Sequence, residues 1–493
     1  MSRIFNGVEV LEGNKTNINN ISNICADSRK CVAGSLFVAV IGVDADGHNF
    51  IGKAIENGAT TIVCEHVPSE YKCTEVIKGN EKGDNVEFIT VKNSRKSLAH
   101  IAANFYGNPS KELKLVGVTG TNGKTTIATL LYNLFTKLGY SCGLLSTIAN
   151  YVGETRYETI NTTPGPIELN ELLAKMVESG CEYCFMEVSS HAVSQDRIEG
   201  LEFTGGLFTN LTHDHLDYHK TFANYLACKK LFFDELPPTA FALTNVDDKN
   251  GMVMTQNTKA EIFTYSTRNI ASFKCKIIEK SIEGMLLNIN GTEVWCRFIG
   301  AYNAANLTVV YGAAILLGAD EDEVLSALSQ LTSVSGRLEY FRGANDIIAA
   351  VDYAHTPDAL ENVLKTLKEL EPQGDLICVF GCGGNRDKSK RPKMGAIAAK
   401  YANRVIVTSD NPRDEEPNDI MNDIREGMDI KARAKSLFIS DRTEAIRTAV
   451  LTAKEGSMIL VAGKGHEDYQ IIKGVKHHLD DKEIIKEAFL MLN

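Results

Sequence analysis

The stretch VTGTNGKTT, Val118–Thr126, sets a glycine turn, a lysine and two threonines directly ahead of a segment with apolar residues at helical spacing. Those residue types handle phosphate. The glycines Gly120 and Gly123 let bare backbone N–H groups of Thr121 and Asn122 approach phosphate oxygens. Lys124 can neutralise β- and γ-phosphate charge, and Thr125 or Thr126 can reach a magnesium ion. A helix beginning there adds the positive end of its dipole. The common form of this loop carries a glycine where this chain has Val118. A glycine turn that merely opens a helix is the bland alternative; strand, turn, lysine, paired threonines and helix in that order disfavour it. The loop leaves open whether the chain is a motor, a switch, a kinase or a ligase.

Two acidic-histidine clusters follow. FMEVSSH places Glu187 at the end of a buried strand, and TNLTHDHLDYH places His215 after another. A carboxylate and an imidazole at strand ends suit hard cations beside phosphates. A lone histidine is more often structural, so His213, His215 and His219 are not all candidates. The guanine-reading Asn-Lys-x-Asp is missing from TNVDDKN, Thr244–Asn250, which disfavours a GTPase switch. In the last third, DIIAAVDYAHTP, DLICVFGCGGNRDK, RVIVTSDNPRDEEP and SMILVAGKGHED each run from an apolar strand into a loop of Gly, Pro, Asn and charges. Ligands of open parallel sheets bind beyond the carboxyl ends of strands, so these loops are expected to converge. Ordinary surface connections are the alternative.

The elements that must position these groups read as α/β. GSLFVAVIG, ATTIVCEHV and VEFITVKN form a small α/β unit in the first hundred residues. LKLVGVTG, SCGLLST, EYCFMEVSS, GGLFTNL and AFALTN alternate with helical patterns such as IATLLYNLFTKLGY, which predicts a mostly parallel sheet. Residues 261–299 alternate in a way that suits antiparallel strands, and GAYNAANLTVVYGAAILLG returns to helix. Polar, turn-rich stretches at Tyr106–Lys114 and Ser333–Arg342 mark two boundaries. A chain of 493 residues leads to about three domains.

Composition narrows the function. The net charge of −11 argues against a broad nucleic-acid surface, so anionic ligands must meet local basic loops. Cys181 and Cys184 form the single CxxC, within a buried-strand pattern, and read as reduced core thiols rather than a zinc site. With neither an apolar signal core at the N-terminus nor a membrane-length apolar run, a cytoplasmic enzyme is expected.

Taken together, GTNGKTT, Glu187 in MEVSSH, His215 in NLTHDHLDYH, Asn303 and Asn306 in YNAANL, Arg337 in SGRLE and Asp352 in VDYAHTPDAL resemble the Mur ligases, which add amino acids to the peptidoglycan precursor. The resemblance runs in order from about residue 21 to 490. It implies three α/β domains: a UDP-sugar-binding domain at 1–110, a central P-loop ATPase domain with a mostly parallel sheet at 111–334, and a Rossmann-like amino-acid-binding domain at 335–493. It also implies a monomer that activates a substrate carboxylate as an acyl phosphate, which an amine then captures.

The resemblance assigns roles. Lys124, Arg337 and two magnesium ions would screen charge. Thr125 and Glu187 suit one ion; His215 and Lys229, as a carbon dioxide-derived carbamate, suit the second. In YLACKKLFF the family position is Lys229 rather than Lys230; two solvent-facing lysines are the bland alternative, and Cys228 stands where alanine is usual. Asn303 and Asn306 would border adenine and Asp352 the ribose of ATP. UDP-N-acetylmuramoyl-L-alanyl-D-glutamate would meet Ser28, then Val43, Asp44 and Ala45, then Asn161, Thr162 and Thr163, then Ser189, Gln195 and Arg197. Meso-diaminopimelate would meet Arg386, Asp410, Asn411, Pro412, Arg413, Gly463 and Glu467, with DNPR favouring it over L-lysine. A folylpolyglutamate-type synthetase and a nucleotide switch without catalysis are the disfavoured alternatives.

Overall fold

The computed structural model describes residues 3–12, 21–42, 45–71, 77–78 and 85–492. Val43 and Asp44 lie outside the described residues. Three large sheets follow one another along the chain, with no strand of one sheet crossing into another.

The first sheet runs Val10–Glu12, Asn85–Val91, Ala59–Cys64, Ser35–Val38, Asn23–Cys25. The last four pair in parallel, and Val10–Glu12 runs antiparallel on the edge. SLFV is buried throughout and ATTIVC almost so, as expected for strands covered on both faces.

The second sheet has 11 strands. Lys114–Thr119 lies near its middle, parallel to Tyr183–Glu187 on one side and to Gly205–Phe208 on the other. Both neighbours end level with it, so Glu187 and Thr209 emerge beside the phosphate loop. The helix Lys124–Lys137 starts three residues ahead of Ile127, where the apolar spacing begins, because Gly123 already serves as its cap. Its apolar side, Ile127, Leu131 and Leu134 among others, packs into one core with Leu307, Val310 and Ala314 of the helix Ala301–Leu316. One expectation needs correction. Glu261–Ser266 is parallel to Phe241–Asn245, and antiparallel pairing begins only where Phe273–Lys280 meets Met285–Ile289. The strand exposes Glu261 and Ile262 and buries Tyr265 and Ser266. Such a pattern reports partial burial, not the direction of a neighbour.

The third sheet runs Glu339–Arg342, Ile348–Asp352, Met458–Ala462, Leu376–Phe380, Arg404–Val407, Ser436–Phe438. All but the first pair in parallel, so the four chemically dense loops leave the same edge. Arg442 ties that edge together. Its side chain is fully buried, forms a two-point ion pair with Asp481 at 2.7 Å, and donates to Ala462 O (3.0 Å) and Ser409 O (3.3 Å).

The crossings between units differ. The first passes through Gly107, where a side chain would meet open space. The second passes through Gly336, at φ +67°, with its free face against the Gly465–His466 backbone. A β-carbon there would collide. Cys181 and Cys184 are both buried free thiols. Among the described residues no helix is long and apolar enough to cross a membrane.

Removing one partner of a buried ion pair leaves an uncompensated charge. Arg442→Ala is therefore expected to lose about 3–5 kcal/mol in urea unfolding. The double variant Arg442→Met with Asp481→Leu is expected to regain most of that loss.

Candidate active site

The phosphate loop is held from outside itself. Thr209 Oγ1 donates to Asn122 O at 2.6 Å, and Asn210 receives Thr121 N on its carbonyl (2.8 Å) and Asn122 N on Oδ1 (3.0 Å). The Thr121 hydroxyl meets Tyr225 OH at 3.1 Å. Gly120 sits at φ +147°, and a β-carbon there would run into Thr209 Oγ1. Thr209, Asn210 and Tyr225 escaped the sequence reading, although TN immediately precedes the LTHDH that drew attention to His215.

Two amines share one oxygen. Lys124 Nζ donates to Gly120 O (3.0 Å) and Thr121 O (2.9 Å), and Lys229 Nζ donates to the same Gly120 O at 2.9 Å. Burial lowers the proton affinity of both, and the Lys124 charge lowers that of Lys229 further. Lys229 is 1% exposed, so the view of two solvent-facing lysines fails for it. Lys230 instead pairs with Asp234 along the helix Phe222–Asp234.

The three histidines have different seats. His219 is buried against Ser190 Oγ (2.9 Å) and is structural. His213 reaches Asp387 of the third unit at 3.2 Å. His215 opens a short helix at φ +53°, with Nε2 3.4 Å from Asp214 Oδ2. Its enclosure pushes its proton affinity down, to about 3, against the pull of Asp214. The imidazole is therefore neutral, with a lone pair to offer. Glu187 is buried at its strand end, and its Oε1 accepts Thr147 N at 2.7 Å.

The third unit reaches across to this loop. Arg337 donates to Thr125 Oγ1 at 3.1 Å and stacks on the Tyr353 ring at 4.5 Å, while its buried Nε has no partner. Asn122 Nδ2 donates to Asp358 Oδ2 at 2.9 Å. Asp352 accepts Leu338 N (2.7 Å) and Ala354 N (2.8 Å), yet burial raises its carboxyl to about 6, with Arg337 opposing. Asn303 Nδ2 donates to Ile299 O (2.9 Å) and Asn306 Nδ2 to Asn303 Oδ1 (3.2 Å). Asn306 Oδ1 lies beside Gly123. Thr126 is buried behind the loop.

These residues fit a nucleotide triphosphate. Two amines bonded only to backbone oxygens, an unpartnered guanidinium nitrogen and a crowded glycine turn all suit an anion. Thr125 and Glu187 offer oxygen donors of the kind magnesium takes. The His215 imidazole is the less usual donor.

The segments expected to hold a muramoyl dipeptide meet beside Glu187. Thr163 Oγ1 donates to Glu187 O (2.8 Å), and Thr162 accepts from Thr147 Oγ1 (3.1 Å). Arg197 binds Thr163 O (2.7 Å) and Gln195 Oε1 (2.7 Å). Ser189 caps Ser190–Ser194, and Asn161 is exposed. Ser28 and Ala45 sit in the first unit. Ser28 O accepts Asn57 Nδ2 at 2.8 Å and Ala45 O accepts Gly42 N at 2.9 Å.

The third-unit loops do converge. Asn411 Nδ2 donates to Glu467 Oε2 at 2.8 Å, and Gly463 closes against Asp410 Oδ2. Arg413, which follows the buried Pro412, donates to Gly384 O at 2.9 Å, and burial and Arg386 both weaken its hold on the proton. Arg386 is exposed. The resemblance suits Glu467 to the distal ammonium of the amino acid. Glu467 is already engaged by Lys464, fully buried, at 3.2 Å. Lys464 lay in plain view in AGKGHE, but its inward direction is a tertiary fact.

Models of the Mur ligase catalytic domain, the Mur ligase middle domain and the Mur ligase glutamate ligase domain match residues 20–106, 118–314 and 336–465. A Phocaeicola vulgatus protein named UDP-N-acetylmuramoyl-L-alanyl-D-glutamate--2,6-diaminopimelate ligase is 55% identical over 490 residues, 99% of each chain. The chain belongs to the Mur ligase family. A solved Mur ligase structure titled as a UDP-N-acetylmuramoyl-L-alanyl-D-glutamate--2,6-diaminopimelate ligase is 31% identical, covers 95% of each chain and superposes with a TM-score of 0.66. The Mur ligase MurF from Thermotoga maritima, in complex with ADP, is 18% identical over 97% of this chain and all of that one, with a TM-score of 0.65. It shares the fold.

The raised Asp352 carboxyl carries a pH signature. The folded value, about 6, lies above the ordinary value for aspartate, so its favourable contribution is complete below that ordinary value and is lost as pH rises through 6. Between pH 4 and 7 the wild type is expected to lose up to about 3 kcal/mol relative to Asp352→Asn, read as the difference between their denaturation curves.

Proposed function

We propose that this Mur ligase uses ATP to join meso-2,6-diaminopimelate to the D-glutamate side-chain carboxyl of UDP-N-acetylmuramoyl-L-alanyl-D-glutamate. The 55% identity over nearly the whole chain to a protein of that name carries the reading. The site chemistry supports it. A carboxylate oxygen attacks the γ-phosphorus of ATP; the O–P bond forms as the bond to ADP breaks. The amine then attacks the acyl carbon, and phosphate leaves. Lys124 and Arg337 screen the two anions that must approach. Magnesium held by Thr125 and Glu187, and a second ion by His215, would neutralise further phosphate charge. Carbon dioxide bound to Lys229 as a carbamate would turn a cation into an anionic oxygen donor for that second ion. The buried Lys229 fits, because enclosure and Lys124 favour the neutral amine that carbon dioxide needs.

We propose the division at 1–110, 111–334 and 335–493, supported by the separate sheets. Asn303, Asn306 and Asp352 border the nucleoside. Ser28, Val43, Asp44 and Ala45 take the uridine end, and the 161–163 and 189–197 segments take the diphosphate and peptide. Arg413 pairs with the far carboxylate of diaminopimelate, which lysine lacks, and Arg386 completes the pocket; leaving the partly buried Arg413 guanidinium without that carboxylate would penalise lysine. Glu467, held by Asn411 and Lys464, takes the distal ammonium of diaminopimelate.

The test uses dipeptide nucleotide labelled with ¹⁸O in the D-glutamate side-chain carboxyl. One labelled oxygen is expected in the released phosphate, and release is expected to need both the nucleotide and an amino acid. Unlabelled phosphate would end the acyl-phosphate scheme. Diaminopimelate is expected to outpace L-lysine at equal concentration, with the ratio collapsing in Arg413→Ala. Separately, Lys229→Ala is expected to lose about 10²–10³-fold in kcat. Short carboxylic acids are expected to restore part of it; full activity in the variant would remove the lysine from the site.

A further inference from the structure

We propose that Cys25 and Cys31 form a reversible disulfide, an oxidant-sensitive modification site in the first unit. Cys25 ends the strand Asn23–Cys25, and Cys31 directly follows the single turn Ser28–Lys30. Their sulfurs lie 2.8 Å apart. Among the described cysteines this is the one pair with sulfurs in contact. The loop's own backbone makes the meeting. Lys30 N donates to Asp27 O (2.9 Å), Cys31 N to Ser28 O (3.3 Å), and Arg29 N to Asp27 Oδ1 (3.0 Å). Both thiols are buried, 2% and 6% exposed, while Arg29 and Lys30 between them are exposed. Both thiols belong to the apolar cluster of Phe37, Ile51 and Ile62, and within it each has the other as a near neighbour. Either sulfur can donate the hydrogen bond they share. Cys31, the less covered of the two and next to the exposed Arg29 and Lys30, is the one a small oxidant meets first and is the attacking sulfur.

The oxidant is a peroxide. The Cys31 thiolate attacks one peroxide oxygen; an S–O bond forms, the O–O bond breaks, and hydroxide leaves as water with the proton Cys31 released. The Cys25 sulfur then displaces the hydroxyl of the sulfenic acid. The S–S bond forms, the S–O bond breaks, and the Cys25 proton leaves with that hydroxide as a second water. The two thiols lose two electrons and peroxide gains them. A dithiol reverses the reaction by exchange.

Ring closure takes freedom from the segment that carries Ser28. Resting on the ligase reading, in which Ser28 meets the uridine end, oxidation changes the KM for the muramoyl nucleotide and leaves kcat alone. The whole chain is treated with hydrogen peroxide, quenched with iodoacetamide and weighed intact, then digested. The expected result is a loss of two hydrogens, a Cys25–Cys31 linked peptide, reversal by dithiothreitol, and no such loss in Cys25→Ser or Cys31→Ser. Sulfinic acid on Cys31, pairing with another cysteine, or two alkylated thiols after peroxide would each overturn the site. Hydrogen exchange across 26–30 is expected to slow in the oxidised form, a readout independent of catalysis. A twofold or larger KM shift is expected. A formed disulfide with unaltered KM would refute the coupling to substrate, and turnover of the dipeptide nucleotide by reduced protein separates that outcome from failure of the ligase reading.

Discussion

One carbonyl oxygen, that of Gly120, receives two amines. Two enclosed ammonium groups on one partial negative charge are unstable as a pair, and a low-dielectric setting magnifies their repulsion. The arrangement is relieved when Lys124 finds phosphate or Lys229 ceases to be a cation. Much of the surrounding structure serves that pair. Thr209, Asn210 and Tyr225 fix the turn that presents the oxygen. The helix Phe222–Asp234 brings Lys229 in from below, with Tyr225 one turn earlier on the same side. Arg337 adds a third cation from another unit, already bonded to the Thr125 hydroxyl. The site is therefore organised around an anion that the chain itself does not supply.

That organisation needs two sheets. The phosphate loop leaves the carboxyl edge of the central sheet, and the Asp352, Arg386, Asp410 and Gly463 loops leave the carboxyl edge of the third. Arg337–Thr125, Asn122–Asp358 and His213–Asp387 bridge the two. Side chains from both sheets therefore line the approach to the phosphate loop.

Much of this was legible in the sequence, for physical reasons. Buried parallel strands need long apolar runs, and a loop that cradles phosphate needs glycine, so Lys114–Thr119 and its turn announce themselves. Strand direction was less legible, as Glu261–Ser266 shows, since partial burial looks alike in either direction. Lys229 and Lys230 differ by one residue and about 100° around a helix. The distinguishing signal was present: Tyr225, Lys229 and Phe232 share one buried face, at spacings of four and three. What stayed hidden were groups whose significance lies in a distant partner. Asp358, Asp387 and Lys464 look like surface charges along the chain, and only the assembled sheets reveal what each one touches.

The two inter-unit joints, so different in their packing, divide the molecule for anyone wishing to rebuild it. At Gly107 the backbone turns in open space, and a reporter or tether spliced there would find room. At Gly336 the backbone is wedged against the loop of Gly465 and His466, one residue before Arg337. An insertion at that point would pry the Gly463–Glu467 loop and the phosphate cradle apart in a single stroke. Natural rearrangement of such chains by domain exchange would thus meet a permissive seam on one side of the central unit and a forbidding one on the other.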